Sequence, residues 1–407
     1  MKYIAIIGYG VVGSGITSVL EVNRDKIQRV VGDDVEVKYI LDLREFPDSP
    51  YGSRVVHDIS VIINDPEVLL VCETMGGSHP AYEFSVSCMN AKKSVVTSNK
   101  EVVANFGDEL LKCAADNGVS YLFEASVGGG IPVIRSLNTS MSQDRISNIT
   151  GIVNGTTNYI LTSMKNEERE FADVLSEAQR LGYAEKDPSA DVDAIDAKRK
   201  IIILTALATG SLLQDDMVYA AGIRKVEVED IRAANRMGYE LKLIASFRSG
   251  ENGIVAFATP AFVPRSNPIS GVSGVYNGIS VKSDTTGDVM YYGMGAGSLP
   301  TAGAVMADVC AVLSGAAGNE FKPVFIRCCD TGHVVHFRDV RSTFYLRFRG
   351  SVSELNDSIR AAVQGFDGTV RSVAGSAGCS EAVIEKITLS ELEKVIPDGL
   401  PILILEE

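Results

Sequence analysis

At 407 residues the chain is too long for one ordinary hydrophobic core, so two or three domains are expected. Apolar residues make up 45% and charged residues 22%, the balance of a well-packed globular protein. The net charge of −14 speaks against broad affinity for nucleic acid or acidic membranes, so neither is expected as a partner.

Cys72, Cys88, Cys113, Cys310, Cys328, Cys329 and Cys379 form no CxxC pair, and their count is odd. They give neither a disulfide framework nor a zinc site, and such thiols fit a reducing compartment. The longest apolar stretch, residues 201–213, falls short of the roughly 20 residues a membrane-spanning helix needs. The short apolar run after Met1-Lys2 stops at Gly8, without the core or cleavage site of a signal peptide. A cytoplasmic location is expected.

Residues 3–7 are continuously apolar, as in a strand buried on both faces. Gly8-Tyr9-Gly10-Val11-Val12-Gly13 follows at once, and a helical pattern then runs to about residue 30. In such a GxGxxG loop the first glycine permits the turn and the second lets the backbone approach a pyrophosphate. The third lets helix and strand pack closely, so the helix N-terminus faces the phosphates. A ligand-free β-α turn is the competing reading, and the flanking strand and helix favour a dinucleotide. Further strands are predicted at 35–41, 69–72, 94–97 and 120–123, with helical patterns between them, which is the alternation of an α/β doubly wound sheet.

The loops after those strands carry polar groups where open α/β sheets bind ligands: Thr74 and Gly76 after the third strand, Asn99 and Lys100 after the fourth. A solvated surface lysine is the ordinary alternative for Lys100. Residues 128–132, Gly-Gly-Gly-Ile-Pro, mark a domain boundary, and the regular alternation ends there. Residues 181–200 hold the densest chemistry. Asp191 is predicted to cap the following helix, and Asp196 and Lys200 at i, i+4 share one helical face. They read either as a surface salt bridge worth about 0.3–0.5 kcal/mol or as a functional pair at the mouth of a buried helix. Both readings stand open at this point. From about residue 338 the tail reads as strand (343–349), helix (352–364), strand (381–387) and helix (391–395), which resembles a small βαββα module with one strand of its central pair unassigned.

Five segments in order then resemble the homoserine dehydrogenase family: 95–104 (VVTSNKEVVA), 123–132 (FEASVGGGIP), 151–161 (GIVNGTTNYIL), 181–200, and 292–302 (YGMGAGSLPTA). The resemblance covers roughly the first 340 residues. It implies a Rossmann-type domain over 1–132, completed by about 298–337, and an α+β substrate, catalytic and dimerisation domain over 133–297. An ACT-like, degenerate module would occupy 338–407. The implied reaction is the NAD(P)-dependent interconversion of aspartate semialdehyde and homoserine, a step toward threonine and methionine. Lys200 matches the family's proton-donating lysine and Lys100 its second active-site lysine. Glu185 and Asp196 match substrate-binding carboxylates, with Asp191 nearby, and donors around Asn154-Gly155-Thr156-Thr157 are expected to hold the substrate carboxylate. The backbone carbonyls of Glu124, Val127, Gly129 and Ile131 match a sodium or potassium site. Gly182 and Gly297 match positions lining the cofactor, beside the glycine loop and Asp42. The family forms dimers, so a homodimer or higher homo-oligomer is expected. A same-fold dehydrogenase for another small amino acid or semialdehyde, or a catalytically silent cofactor sensor, are the alternatives.

Three details depart from the family's pattern. Leu41 stands where NADP-favouring members carry arginine and Asp42 remains, which tilts the expectation toward NAD over NADP, with Arg44 as a possible replacement cation. Ala194 replaces a usual glycine, expected to crowd the helix. Residues 350–354 lack the Asp-x-Pro-Gly signature, so weak or absent threonine inhibition is expected, and truncation near Arg338 is expected to change activity little if the protein stays soluble.

Overall fold

In the computed structural model the first apolar run becomes β1 (Lys2–Ile7), whose last four residues are buried. The structure describes residues 1–251, 253–317, 323–328, 333–349, 360, 363–376, 379–395 and 400–405. Chain order continues with α1 (Val11–Val22), α2 (Arg24–Val31), β2 (Val35–Leu41), β3 (Val55–Val56), α3 (Ile59–Asn64) and β4 (Val68–Glu73). Next come α4 (Ala81–Asn90), β5 (Ser94–Thr97), α5 (Lys100–Asn117) and β6 (Tyr121–Leu122). The six strands form one parallel sheet in the order β3-β2-β1-β4-β5-β6. This is the expected doubly wound sheet, and only the two-residue β3 was not anticipated. The strand order reverses between β1 and β4, so the glycine loop and the loop from Thr74 leave the sheet side by side.

The chain divides into two units: Met1–Ile146, Ile202–Asp215 and Ser283–Cys328 form the first, and Ser147–Ile201, Asp216–Lys282 and Cys329–Glu407 the second. After the short turn α6 (Val133–Arg135), the chain runs through β7 (Ile146–Ile152), α7 (Gly155–Glu167), α8 (Phe171–Arg180), α9 (Ser189–Val192) and α10 (Ile195–Thr209). Then follow β8 (Ser211–Leu212), β9 (Tyr219–Ala220), α11 (Val228–Arg236), β10 (Tyr239–Gly250), β11 (Gly253–Pro264) and β12 (Tyr276–Ser283). Strands β10 and β11 form a twelve-residue antiparallel hairpin, and β10 pairs on its other side with β7.

The chain returns to the first unit with β13 (Asp288–Met294), α12 (Ser298–Ser314) and β14 (Ile326–Arg327), which pairs with β8. Helix α12 buries Ala302, Val305, Met306 and Val309 in the core around β1 and β4. Its apolar run is therefore part of the first unit's core, far away in sequence from the sheet it covers.

The tail supplies β15 (Ser342–Arg349), β16 (Thr369–Ser376), β17 (Cys379–Ile387), α13 (Leu389–Val395) and β18 (Leu400–Ile404). Neither β16 nor β18 was anticipated, and β18 carries the main consequence. It pairs parallel with β11 (Ala261↔Leu403, Phe262↔Ile404), so the sheet of the second unit continues through β11-β18-β15-β17-β16. Most of the helix expected at 352–364, and the 350–354 stretch, lie outside the described residues. Among the described residues, no helix is long and apolar enough to cross a membrane.

Candidate active site

The glycine loop in the first unit has the geometry its sequence implied. A Cβ on Gly13 would sit 2.2 Å from the Gly8 carbonyl oxygen, so only glycine lets α1 pack this close to the end of β1. A Cβ on Gly10 would meet nothing within 4 Å, which leaves open space beside the backbone. Gly10 caps α1 without a side-chain bond, and the first-turn N–H groups of Val11, Val12 and Gly13 have no intrahelical acceptor. Tyr9 donates its N–H to Asp42 Oδ2 at 2.8 Å, linking the loop to the end of β2.

Asp42 is held on several sides. Arg44 forks onto it, with Nε 3.0 Å from Oδ1 and Nη2 3.0 Å from Oδ2. That guanidinium is the main reason the Asp42 carboxyl titrates low, at about 2. Arg44 itself is exposed and lies over the Phe46 ring. Nearby loops are tied together through polar side chains. Thr74 Oγ1 donates to the Gly8 carbonyl at 2.6 Å, and Asn99 donates to the Gly77 carbonyl at 2.8 Å while capping α5. Lys100, the first residue of α5, is half-buried rather than a freely solvated side chain. Gly76 lies open, and Gly297 starts α12 at φ +120.

Apart from the exposed Gly130, the 124–131 loop is buried, and it turns through positive φ at Gly128 and Gly129. The Glu124 carboxylate accepts the N–H groups of Ile134 (3.0 Å) and Arg135 (2.7 Å), and burial raises it to about 7. Asp308 of α12 accepts the Glu124 N–H at 2.9 Å and pairs with Arg135 at 2.7 Å. The Glu124 carboxylate is thus engaged by the start of α6, and the candidate cation donors of this loop are the carbonyls of Glu124, Val127, Gly129 and Ile131. The Ile131 carbonyl also accepts the Val133 N–H at 2.8 Å.

In the second unit, the end of β7, the start of α7 and the start of α10 bring one polar group together. Lys200 Nζ donates to Asp196 Oδ2 at 2.7 Å and to the Val153 carbonyl at 2.6 Å. The two side chains are only 9% and 5% exposed, which rules out the surface salt bridge. Asn154 Nδ2 donates to Asp191 Oδ1 at 2.7 Å and to Asp196 Oδ2 at 2.9 Å, while its Oδ1 accepts from Thr157 N. Asn154 was expected among donors for substrate; its side chain instead joins two carboxylates and caps α7. Thr156 Oγ1 donates to the Tyr183 carbonyl at 2.7 Å, so its hydroxyl anchors the loop after α8. Glu185 is exposed on that loop. Gly182 follows α8 at φ +79, with Tyr183 N–H returning to the Ala178 carbonyl, a helix-ending motif that by itself favours a glycine.

One expectation about the 189–196 turn is corrected. Asp191 does not cap α10; it lies inside α9, and Ala194 precedes α10. At Ala194 the backbone carries the cost. Its φ is +63, a left-handed conformation costing a residue with a Cβ about 1–2 kcal/mol, which is the physical reason glycine suits the position. Gly222 and Arg224 were missed altogether. A Cβ on Gly222 would sit 2.0 Å from the Val192 carbonyl, and Arg224 forks onto Asp193 at 2.6 and 2.9 Å. Together they clamp the turn that carries Asp191 and Asp196, and no local sequence signal pairs segments 31 residues apart.

Family models agree with this geometry. Residues 8–124 match the NAD-binding domain of homoserine dehydrogenase, and 132–310 match homoserine dehydrogenase itself. The chain belongs to the homoserine dehydrogenase family. A homoserine dehydrogenase of Synechocystis is 36% identical over 428 positions, covering 98% of this chain and 99% of the relative. The crystal structure of a homoserine dehydrogenase from Thiobacillus denitrificans superposes with a TM-score of 0.90 at 32% identity, covering 100% of this chain and 98% of that one. A hyperthermophilic archaeal homoserine dehydrogenase in complex with NADPH gives a TM-score of 0.65 at 26% identity, covering 77% and 98%. Likeness to the homoserine dehydrogenases thus extends through the tail, where the motifs read from the sequence had stopped.

Proposed function

We propose that this chain interconverts aspartate semialdehyde and homoserine with a nicotinamide cofactor. The observation that carries the reading is Lys200, a buried ammonium held by one carboxylate and one carbonyl at the head of an apolar helix. When bound, the nicotinamide gives or takes a hydride at the carbon bearing the oxygen. Lys200 supplies the proton to that oxygen as alkoxide charge develops, and its cationic form stabilises the charge. Asp196 and the Val153 carbonyl fix the ammonium, and Lys100 provides a second cation. Glu185, Asp191 and Asp196 pair with the substrate ammonium.

The N-terminus of α1 would hold the dinucleotide, with the open backbone of Gly10 available to the pyrophosphate. Thr74, Gly76, Asn99, Gly182 and Gly297 line its path. Asp42 binds the adenosine ribose and favours NAD, while the exposed Arg44 lets NADP be used as well. The NADPH-bound archaeal relative supports a pocket type that tolerates the extra phosphate. The carbonyls of Glu124, Val127, Gly129 and Ile131 would hold a sodium or potassium ion, because neutral oxygen donors suit a hard monovalent cation better than a transition metal. The working form is a cytoplasmic homodimer or larger homo-oligomer.

Homoserine oxidation by the purified chain, followed as reduced cofactor with NAD and with NADP, tests the proposal. Turnover is expected with homoserine and not with serine or threonine. Absence of turnover with either cofactor in sodium or potassium buffer overturns the reading.

A further inference from the structure

A second polar pocket lies in the second unit at the far end of α7, about 16 Å along the helix from Asn154. It holds about 260 Å³, below the range of drug-sized ligand sites. Lys165, Lys242 and Arg265 line it, with Glu240 as the one carboxylate among its described lining residues. Glu240 is already shared, by Lys165 Nζ at 2.6 Å and Arg265 Nε at 3.1 Å. Arg265 also donates to Asn235 Oδ1 at 2.9 Å. Lys242 is 5% exposed, and its ammonium, with three donors, meets a single acceptor among the described residues, the Val272 carbonyl at 2.6 Å. Burial draws that ammonium down to about 8, the direction of a cation short of counter-charge. Three cations face one committed carboxylate in a chain whose net charge is −14.

A buried ammonium with unused donors is costly unless an acceptor completes its shell. We infer that this pocket binds a small anion of the phosphate or carboxylate class, held by Lys242 with Arg265 and Lys165 around it. Ser270 and Ser273 lie on its wall and offer hydroxyls to the same ligand. The volume admits inorganic phosphate or a short carboxylate and excludes a dinucleotide. The inference does not depend on the catalytic reading above.

The test is thermal unfolding of the full chain, saturated with NAD so that the glycine loop is blocked. Phosphate and acetate are titrated separately against chloride at matched ionic strength. A saturable rise in midpoint beyond chloride is expected with at least one of them, and which one responds identifies the ligand class. In Lys242→Met the apparent affinity should fall at least ~10-fold, the scale of a lost charge-assisted bond. Arg265→Gln, on an exposed side chain, should weaken it by about 3-fold and decides the matter if the buried variant does not fold. No rise beyond chloride, or equal responses in the wild type and the folded variants, overturns the inference.

Discussion

Lys200 shows how burial changes the meaning of a residue pair. On a surface the Asp196–Lys200 spacing would be worth a few tenths of a kcal/mol, but here both groups are nearly out of water and Asn154 completes the network. Lys200→Ala should therefore lower turnover at least ~100-fold while NAD still binds, checked by steady-state kinetics beside a cofactor fluorescence titration. Near-normal turnover would remove Lys200 from the mechanism. Ala194 carries the opposite lesson, a cost left in place at φ +63. Ala194→Gly should stabilise the second unit by up to about 1 kcal/mol, read from denaturant unfolding. Glu73 adds a pH dependence. It is fully buried, and burial raises it from 4.5 to about 7 against bonds from Thr97 and Met75. A raised carboxyl favours folding when protonated, so its contribution is complete below pH ~4.5 and is lost as pH rises through ~7. Glu73→Gln should then melt higher than the wild type at pH 8, with the gap closing at pH 5. A gap that is constant across that range would contradict the assignment.

At the scale of elements, the proposed choice between NAD and NADP rests on the end of β2. Asp42 is ionised and faces the glycine loop through Tyr9, the arrangement expected of a ribose-binding carboxylate. Arg44 occupies the same carboxylate, so a 2′-phosphate would recruit a cation that is already in place rather than meet bare repulsion. Arg44→Ala is expected to lower kcat/KM for NADP by about 10-fold and to change the value for NAD by less than about 3-fold. Equal losses with both cofactors would show that Arg44 merely holds Asp42. The loops after β1, β4 and β5 were readable as ligand loops because strand ends followed by glycine or an N-cap residue have a strong local signature. Their mutual ties, Thr74 to Gly8 and Asn99 to Gly77, were not readable, since each joins segments distant in sequence.

For the molecule as a whole, the tail is the main revision. A separable module would tolerate removal, but β18 is hydrogen-bonded to β11, and Tyr345 packs on Phe262 at 4.7 Å. Arg347, buried on β15, pairs with the fully buried Asp230 of α11 at 2.8 Å. Cutting the chain near Arg338 would strand that carboxylate, at a cost of about 3–5 kcal/mol, and uncover a long sheet edge. The truncated chain is expected in the insoluble fraction, or with a melting midpoint lower by at least ~10 °C if soluble. A soluble, fully active truncation with an unchanged midpoint would restore the view of a dispensable tail.

The sequence by itself determined the doubly wound sheet, the position of the glycine loop and the Asp196–Lys200 pairing. Each rests on interactions between residues close in the chain: buried strands read as apolar runs, a GxGxxG turn between strand and helix, and i, i+4 spacing on one helical face. Tertiary structure alone decided whether that pair was surface or buried, because the answer depends on what packs over α10. It also decided that Asn154 bridges Asp191 and Asp196, that Gly222 and Arg224 clamp their turn, and that the tail completes the sheet of the second unit. Those outcomes depend on strand neighbours and close backbone approaches between distant segments, and neither composition nor periodicity records which segments will meet.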